Sequence, residues 1–166
     1  LSSLKAVGLE GCAVTDLSPL TSVTTLEWIK ICDTDITLSE LSSSITVTSH
    51  PHFHRFDLSN ENEQFSDPAA VIDYLATFAE LTGLTIEEFY DDFTDTEFDY
   101  LYGEILGNRV DAFRTLRVNE NDITDASLAS IANLTALREL NISNTEITDL
   151  SELARLTQLR ELVLEG

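Results

Sequence analysis

The chain has 166 residues, with nine Lys and Arg against thirty Asp and Glu, for a formal charge of −21. That balance excludes nucleic acid and anionic lipid as partners of its general field, because both carry the same sign. A hydrophobic fraction of 43% argues against disorder, the length suits one domain with an ample core, and no apolar run reaches the roughly 20 residues of a membrane span.

From the N-terminus, Leu4, Val7, Leu9, Val14 and Leu17 are echoed 22 residues later by Leu26, Ile29, Ile31 and Ile36. The spacing L-x-x-L-x-L-x-x-(polar or Cys)-x-I returns from Phe113 through Leu116, Val118, Asn121 and Ile123. It returns again from Leu137 (Leu140, Ile142) and from Leu159 (Leu162, Leu164). Apolar residues two apart have the period of a strand with one inward face. No single copy buries that face alone, so the copies must stack and pair their strands into a parallel sheet. The polar position after each strand holds Cys12, Thr34, Asn121 and Thr145, whose side chains can bond loop backbone inside the coil.

These copies resemble the leucine-rich repeat family. The stretch Val14-Thr-Asp-Leu-Ser-Pro-Leu20, with Ile123-Thr-Asp125 and Ile147-Thr-Asp-Leu150, resembles its 22-residue, internalin-like bacterial class. The resemblance implies an α/β solenoid with a parallel sheet on the concave face and an irregular or helical convex side. It also implies protein recognition or assembly without catalysis or cofactor, at the cell surface or outside the cell. Residues 1–166 then form one repeat domain, regular over 1–41 and 113–166 and irregular over 42–112.

Two readings of 42–112 stand. In one, the coil continues through long, degenerate rungs built on Phe53, Phe56 and Leu58 and on Leu81, Leu84 and Ile86, with successive starts 22, 27, 28, 32, 24 and 22 residues apart. In the other, a subdomain is inserted between two blocks of repeats. The coil is preferred. Within this stretch Asp67-Pro68 predicts a helix start, followed by the stripe Val71, Ile72, Leu75, Phe78 and Ala79 and ending before Gly83. Thr85 with Glu88, and Thr94 with Glu97, each predict a capping box opening a short helix.

In the resembled family, side chains flanking the strand leucines face the concave surface. Those positions carry seven of the nine basic residues and ten of the thirty acids, so the face is close to balanced and the surplus negative charge lies behind it. A basic column precedes the strands (Lys5, His54, Arg114, Arg138, Arg160, broken by Glu27) and an acidic one follows them (Glu10, Asp33, Glu88, Glu120). The candidate binding residues for a protein partner are Trp28, Lys30, Arg55, Asp57, Arg114, Arg117, Arg138, Asn141 and Arg160. Trp and Arg are the usual hot-spot anchors. Cross-strand charge pairing within the sheet is the competing use of the same residues.

Two clusters suggest other chemistry. His50, His52 and His54 alternate along one segment, where extended backbone would let the imidazoles converge on Zn²⁺. Asp91, Asp92, Asp95, Glu97 and Asp99 could offer oxygens to Ca²⁺, but lack the Gly and spacing of an EF-hand loop. Amphipathic helices burying Phe89, Phe93, Phe98 and Leu101 are the preferred reading there. No nucleophile elbow or phosphate loop occurs, and neither Cys12 nor Cys32 has a histidine near it in sequence. Asn133 and Asn141 head N-x-S/T sequons. Leu1 and Gly166 fall in phase with the outer strands, without polar caps, so three expectations follow: a segment of a longer protein, caps supplied by a partner, or self-association of the end rungs into a filament.

Overall fold

The computed structural model describes residues 1–61 and 63–166. Seven strands form one parallel sheet: β1 (Ala6–Glu10), β2 (Trp28–Cys32), β3 (Arg55–Ser59), β4 (Gly83–Glu87), β6 (Thr115–Arg117), β8 (Glu139–Asn141) and β9 (Glu161–Val163). Each pairs only with the rungs before and after it, in chain order. The register runs Ala6, Trp28, Arg55, Gly83, Thr115, Glu139, Glu161, so the steps between rungs are the 22, 27, 28, 32, 24 and 22 residues expected of long central repeats.

Alternation sorts the side chains. The column Val7, Ile29, Phe56, Leu84, Leu116, Leu140, Leu162 lies on the inner side; its members Ile29, Phe56, Leu84 and Leu116 are fully buried, and Leu162 on the last strand is exposed. The column Gly8, Lys30, Asp57, Thr85, Arg117, Asn141, Val163 turns to the concave face.

The return path of each rung sets its width. Short outer rungs return through 3-10 turns at Ser18–Leu20 and Ser151–Arg155. The longer rungs return through helices α1 (Leu38–Ser44), α2 (Pro68–Ala76), α3 (Asp95–Glu104) and α4 (Asp125–Ile131), which make the convex side. A wider rung needs larger side chains to fill it. All eight phenylalanines lie between positions 53 and 113, and all are buried. Phe56 packs its ring 4.3 Å from that of Phe53 and 5.0 Å from that of Phe78. Phe65 and Phe89 stack at 6.3 Å.

Three sequence expectations need correction. Thr85 and Glu88 do not open a helix: Gly83–Glu87 is β4, a central strand, and its Thr85 hydroxyl donates to Asp57 Oδ1 at 2.8 Å. The next segment is a second short strand, β5 (Tyr90–Thr94), paired parallel with β7 (Asn121–Asp122). The helix capped by Asp67 closes at Ala76, which leaves Phe78 and Ala79 beyond its end, Phe78 still buried. The Thr94–Glu97 capping box does open α3, with Phe98 and Leu101 buried beneath it.

Candidate functional site

The centre of the concave face is organised by Asp57. Its carboxylate accepts from Trp28 Nε1 at 3.0 Å, from Arg55 Nε at 3.0 and 3.2 Å, and from Thr85. The Arg55 guanidinium lies 5.3 Å from the Trp28 ring centroid, in cation–π range. Trp28 is half-buried rather than fully exposed, because the indole is tied down along its edge. Trp28, Lys30, Arg55, Asp57, Glu87 and Arg117 line a hollow of about 260 Å³ on this face.

Charge pairing across strands surrounds the hollow. Lys30 Nζ meets Glu10 at 2.7 Å, and this contact, opposed by burial, raises its pKa above the usual lysine value. Lys5 meets Glu27 at 2.6 Å and holds the Glu27 carboxyl below the usual range. Arg117 lies 3.7 Å from Glu139 and 3.9 Å from Glu161. Burial pushes Glu87 upward, against a hydrogen bond from Asn119 Nδ2 at 3.2 Å. Cys32 lies on the same strand but is buried, and desolvation pushes its thiol up to about 12.

The basic column lies one position ahead of the strands, at the rim. Arg114 Nη1 reaches the carbonyls of Asp111 and Ala136 at 3.3 and 3.2 Å. Arg138 and Arg160 are exposed. Asn141 sits on β8 with Oδ1 accepting from Ser143 N at 3.0 Å. Asn133, the other sequon, lies in the convex turn after α4, bridged to Arg155 at 2.8 Å.

The structure separates the three histidines. His50 is fully buried, with Nε2 3.1 Å from the Leu20 carbonyl oxygen and its ring edge-on to Phe53. His52 is exposed, and His54 Nδ1 lies 3.2 Å from the His52 carbonyl oxygen. The acids of the 91–99 run are divided as well. Asp95 accepts from Thr124 and Ser127, and Glu97 serves the α3 cap. Among the described residues no group of three or more His, Cys, Asp or Glu is placed to hold a metal ion.

A left-handed corner closes the strands, which sequence reasoning did not foresee. Gly11, Asp33, Glu88, Glu120 and Asn144 have φ of 60°, 49°, 62°, 58° and 52°. Of the acidic column, Asp33, Glu88 and Glu120 therefore sit on backbone that turns sharply away from the sheet, whereas Glu10 still belongs to β1. Gly, Asp and Asn tolerate this conformation and could have signalled it, whereas Glu gives no such hint.

A family model for leucine-rich repeats, in two copies, matches residues 114–155. No curated protein matches the chain in sequence. Among solved structures, internalin C2 of Listeria monocytogenes superposes with a TM-score of 0.60 at 22% identity, over 98% of this chain and 72% of that one. The internalin InlF of the same organism gives 0.59 at 16% identity, over 97% of this chain and 48% of that one. The chain is thus a leucine-rich-repeat solenoid with the fold of the internalins.

Proposed function

We propose that residues 1–166 act as one protein-recognition module whose partner docks on the concave face, without catalysis, at the cell surface or outside the cell. The observation that carries the reading is the Trp28–Arg55–Asp57 cluster beside the central hollow. It presents an aromatic ring and a guanidinium that are already ordered before any partner arrives. Pre-ordering spares the rotamer entropy that binding otherwise costs, and Trp and Arg are the side chains that dominate interface energies. The leucine-rich-repeat fold supports protein binding in general terms.

The test places a photo-crosslinking residue at Gly8, on the concave column with nothing within 4 Å of an added Cβ, or at Ser39 on convex α1. Partner capture is expected from position 8 and not from position 39. Trp28→Ala combined with Arg117→Glu should abolish that capture while the circular-dichroism spectrum stays that of the parent. Capture from position 39 alone would overturn the reading.

A further inference from the structure

With thirty carboxylates and nine Lys and Arg, a basic side chain in this chain should find an acidic neighbour easily. Most do: Lys5, Lys30, Arg55, Arg117 and Arg155 all form ion pairs. On the concave rim Arg114, Arg138 and Arg160 do not, and of these Arg114 bonds backbone carbonyls instead. Arg138 and Arg160 are exposed, and among the described residues neither side chain forms an ion pair or a hydrogen bond. The reason is local. Each is followed in sequence by a glutamate, but Glu139 and Glu161 both lean to Arg117, at 3.7 and 3.9 Å. Arg117 thereby engages the two glutamates that adjoin them in sequence.

The two residues also lie in register. Arg160 N donates to the Arg138 carbonyl, and Arg138 N to the Arg114 carbonyl, each at 2.8 Å. Three arginines thus head three successive parallel strands, about 4.8 Å apart. A guanidinium is a planar fork suited to bidentate carboxylate binding, and two forks side by side select a partner with closely spaced carboxylates.

We propose that Arg138 and Arg160, with Arg114 beside them, bind the carboxylates of an acidic protein segment laid across the last three rungs. The inference rests on the concave-face reading above and names its partner chemistry. A protein segment fits better than a long polyanion. At physiological salt the field of the −21 chain is screened beyond about 8 Å, so a short acidic stretch meets the arginines locally. An extended polyanion would also run over the negative remainder of the surface.

The test uses the full chain, ¹⁵N-labelled, titrated with an Asp-Ser repeat peptide, a Lys-Ser repeat peptide and a heparin fragment. The acidic peptide should shift the amides of Arg114, Arg138 and Arg160. The Arg138→Glu, Arg160→Glu double variant should bind it at least about tenfold more weakly per reversed charge. Arg138→Lys with Arg160→Lys should fall between, since the charge survives and the fork does not. The Arg138→Lys, Arg160→Lys variant should melt at the temperature of the parent, because both side chains are exposed and unpaired and the charge is kept. Equal binding by the double variant, or no binding of the acidic peptide, overturns the proposal. Heparin binding without peptide binding overturns the protein class of the partner. A Lys-Ser peptide shifting residues around Glu10 and Glu88 instead overturns the acidic partner but leaves concave recognition standing. Shifts confined to α1–α4 with every probe overturn both.

Discussion

Asp57 is a carboxylate with 5% of its surface exposed, placed in the middle of an open sheet face. A charge so removed from water persists only when its oxygens are satisfied, and here three side chains on three adjacent strands do so. The same bonds position Trp28 and Arg55 for a partner, so binding and folding share one residue. Asp57→Ala would strand an indole N–H, a guanidinium and a hydroxyl together. It should cost about 2–4 kcal/mol in urea denaturation. Asp57→Asn keeps one acceptor oxygen and should cost roughly half as much. A loss within about 0.5 kcal/mol for the alanine variant, the level of an ordinary surface change, would show that the network is ornamental. Sequence pointed to Trp28, Arg55 and Asp57 separately, as face positions. It could not show that they touch, because Trp28 and Asp57 are 29 residues apart and meet only through the rung-to-rung register.

At the level of the rung, the strands were legible and the return paths only in part: the starts of α2 and α3 were read, those of α1 and α4 were not. Strand cores such as Phe56–Leu58 and Leu84–Ile86 follow from period-two apolar spacing, which survives however long the rung becomes. Helices α1 and α4 went unread although Thr37-Leu-Ser-Glu40 is a capping box and Thr124 is an N-cap. Both are only seven residues long, too short for a stripe to show. The Thr85–Glu88 motif misled for the complementary reason: burial on both sides of β4 overrides a local capping preference. The confinement of phenylalanine to 53–113 was a readable sign of wide rungs. Adjacent rungs are also joined from within by Asn121. Its Nδ2 donates to the carbonyls of Ile86 and Val118 at 2.9 and 3.0 Å, and its Oδ1 accepts from Phe89 N at 3.0 Å. The equivalent residue Thr145 makes one bond, to the Ile142 carbonyl at 2.8 Å. Asn121→Ala should therefore destabilise by about 2–4 kcal/mol and Thr145→Ala by about 1 kcal/mol or less. Equal losses for the two would contradict an Asn-centred link between rungs.

For the whole molecule, charge makes stability depend on pH in two opposing ways. At neutral pH the surplus of twenty-one negative charges repels itself across the convex side and edges, which disfavours the compact state. Acidification relieves that repulsion. Glu87 adds to the gain: burial raises its folded pKa, so its contribution is present at low pH and is lost as pH rises through that pKa. Other carboxyls act with the opposite sign. Burial alone would raise Asp95, but bonds from Ser127 and Thr124 outweigh it and hold the group below the ordinary range. Asp125 is lowered by the backbone N–H groups of Asp149 and Thr148 and by the Thr148 hydroxyl. Glu40 is lowered by the Thr37 cap. Each of these contributes stability that is present above its unfolded pKa and is lost as pH falls through its folded one. The hydrogen-bonded carboxylates, held below the ordinary range, lose their contribution only at the acid end. The melting temperature should accordingly rise from pH 7 to a maximum near pH 5 and fall below about pH 4. Added salt at pH 7 should raise it as well, and Asp95→Asn should flatten only the acid limb. Calorimetry across pH and salt separates the two effects. A melting temperature highest at pH 7 in low salt would mean that the negative surplus is too widely spread to strain the fold.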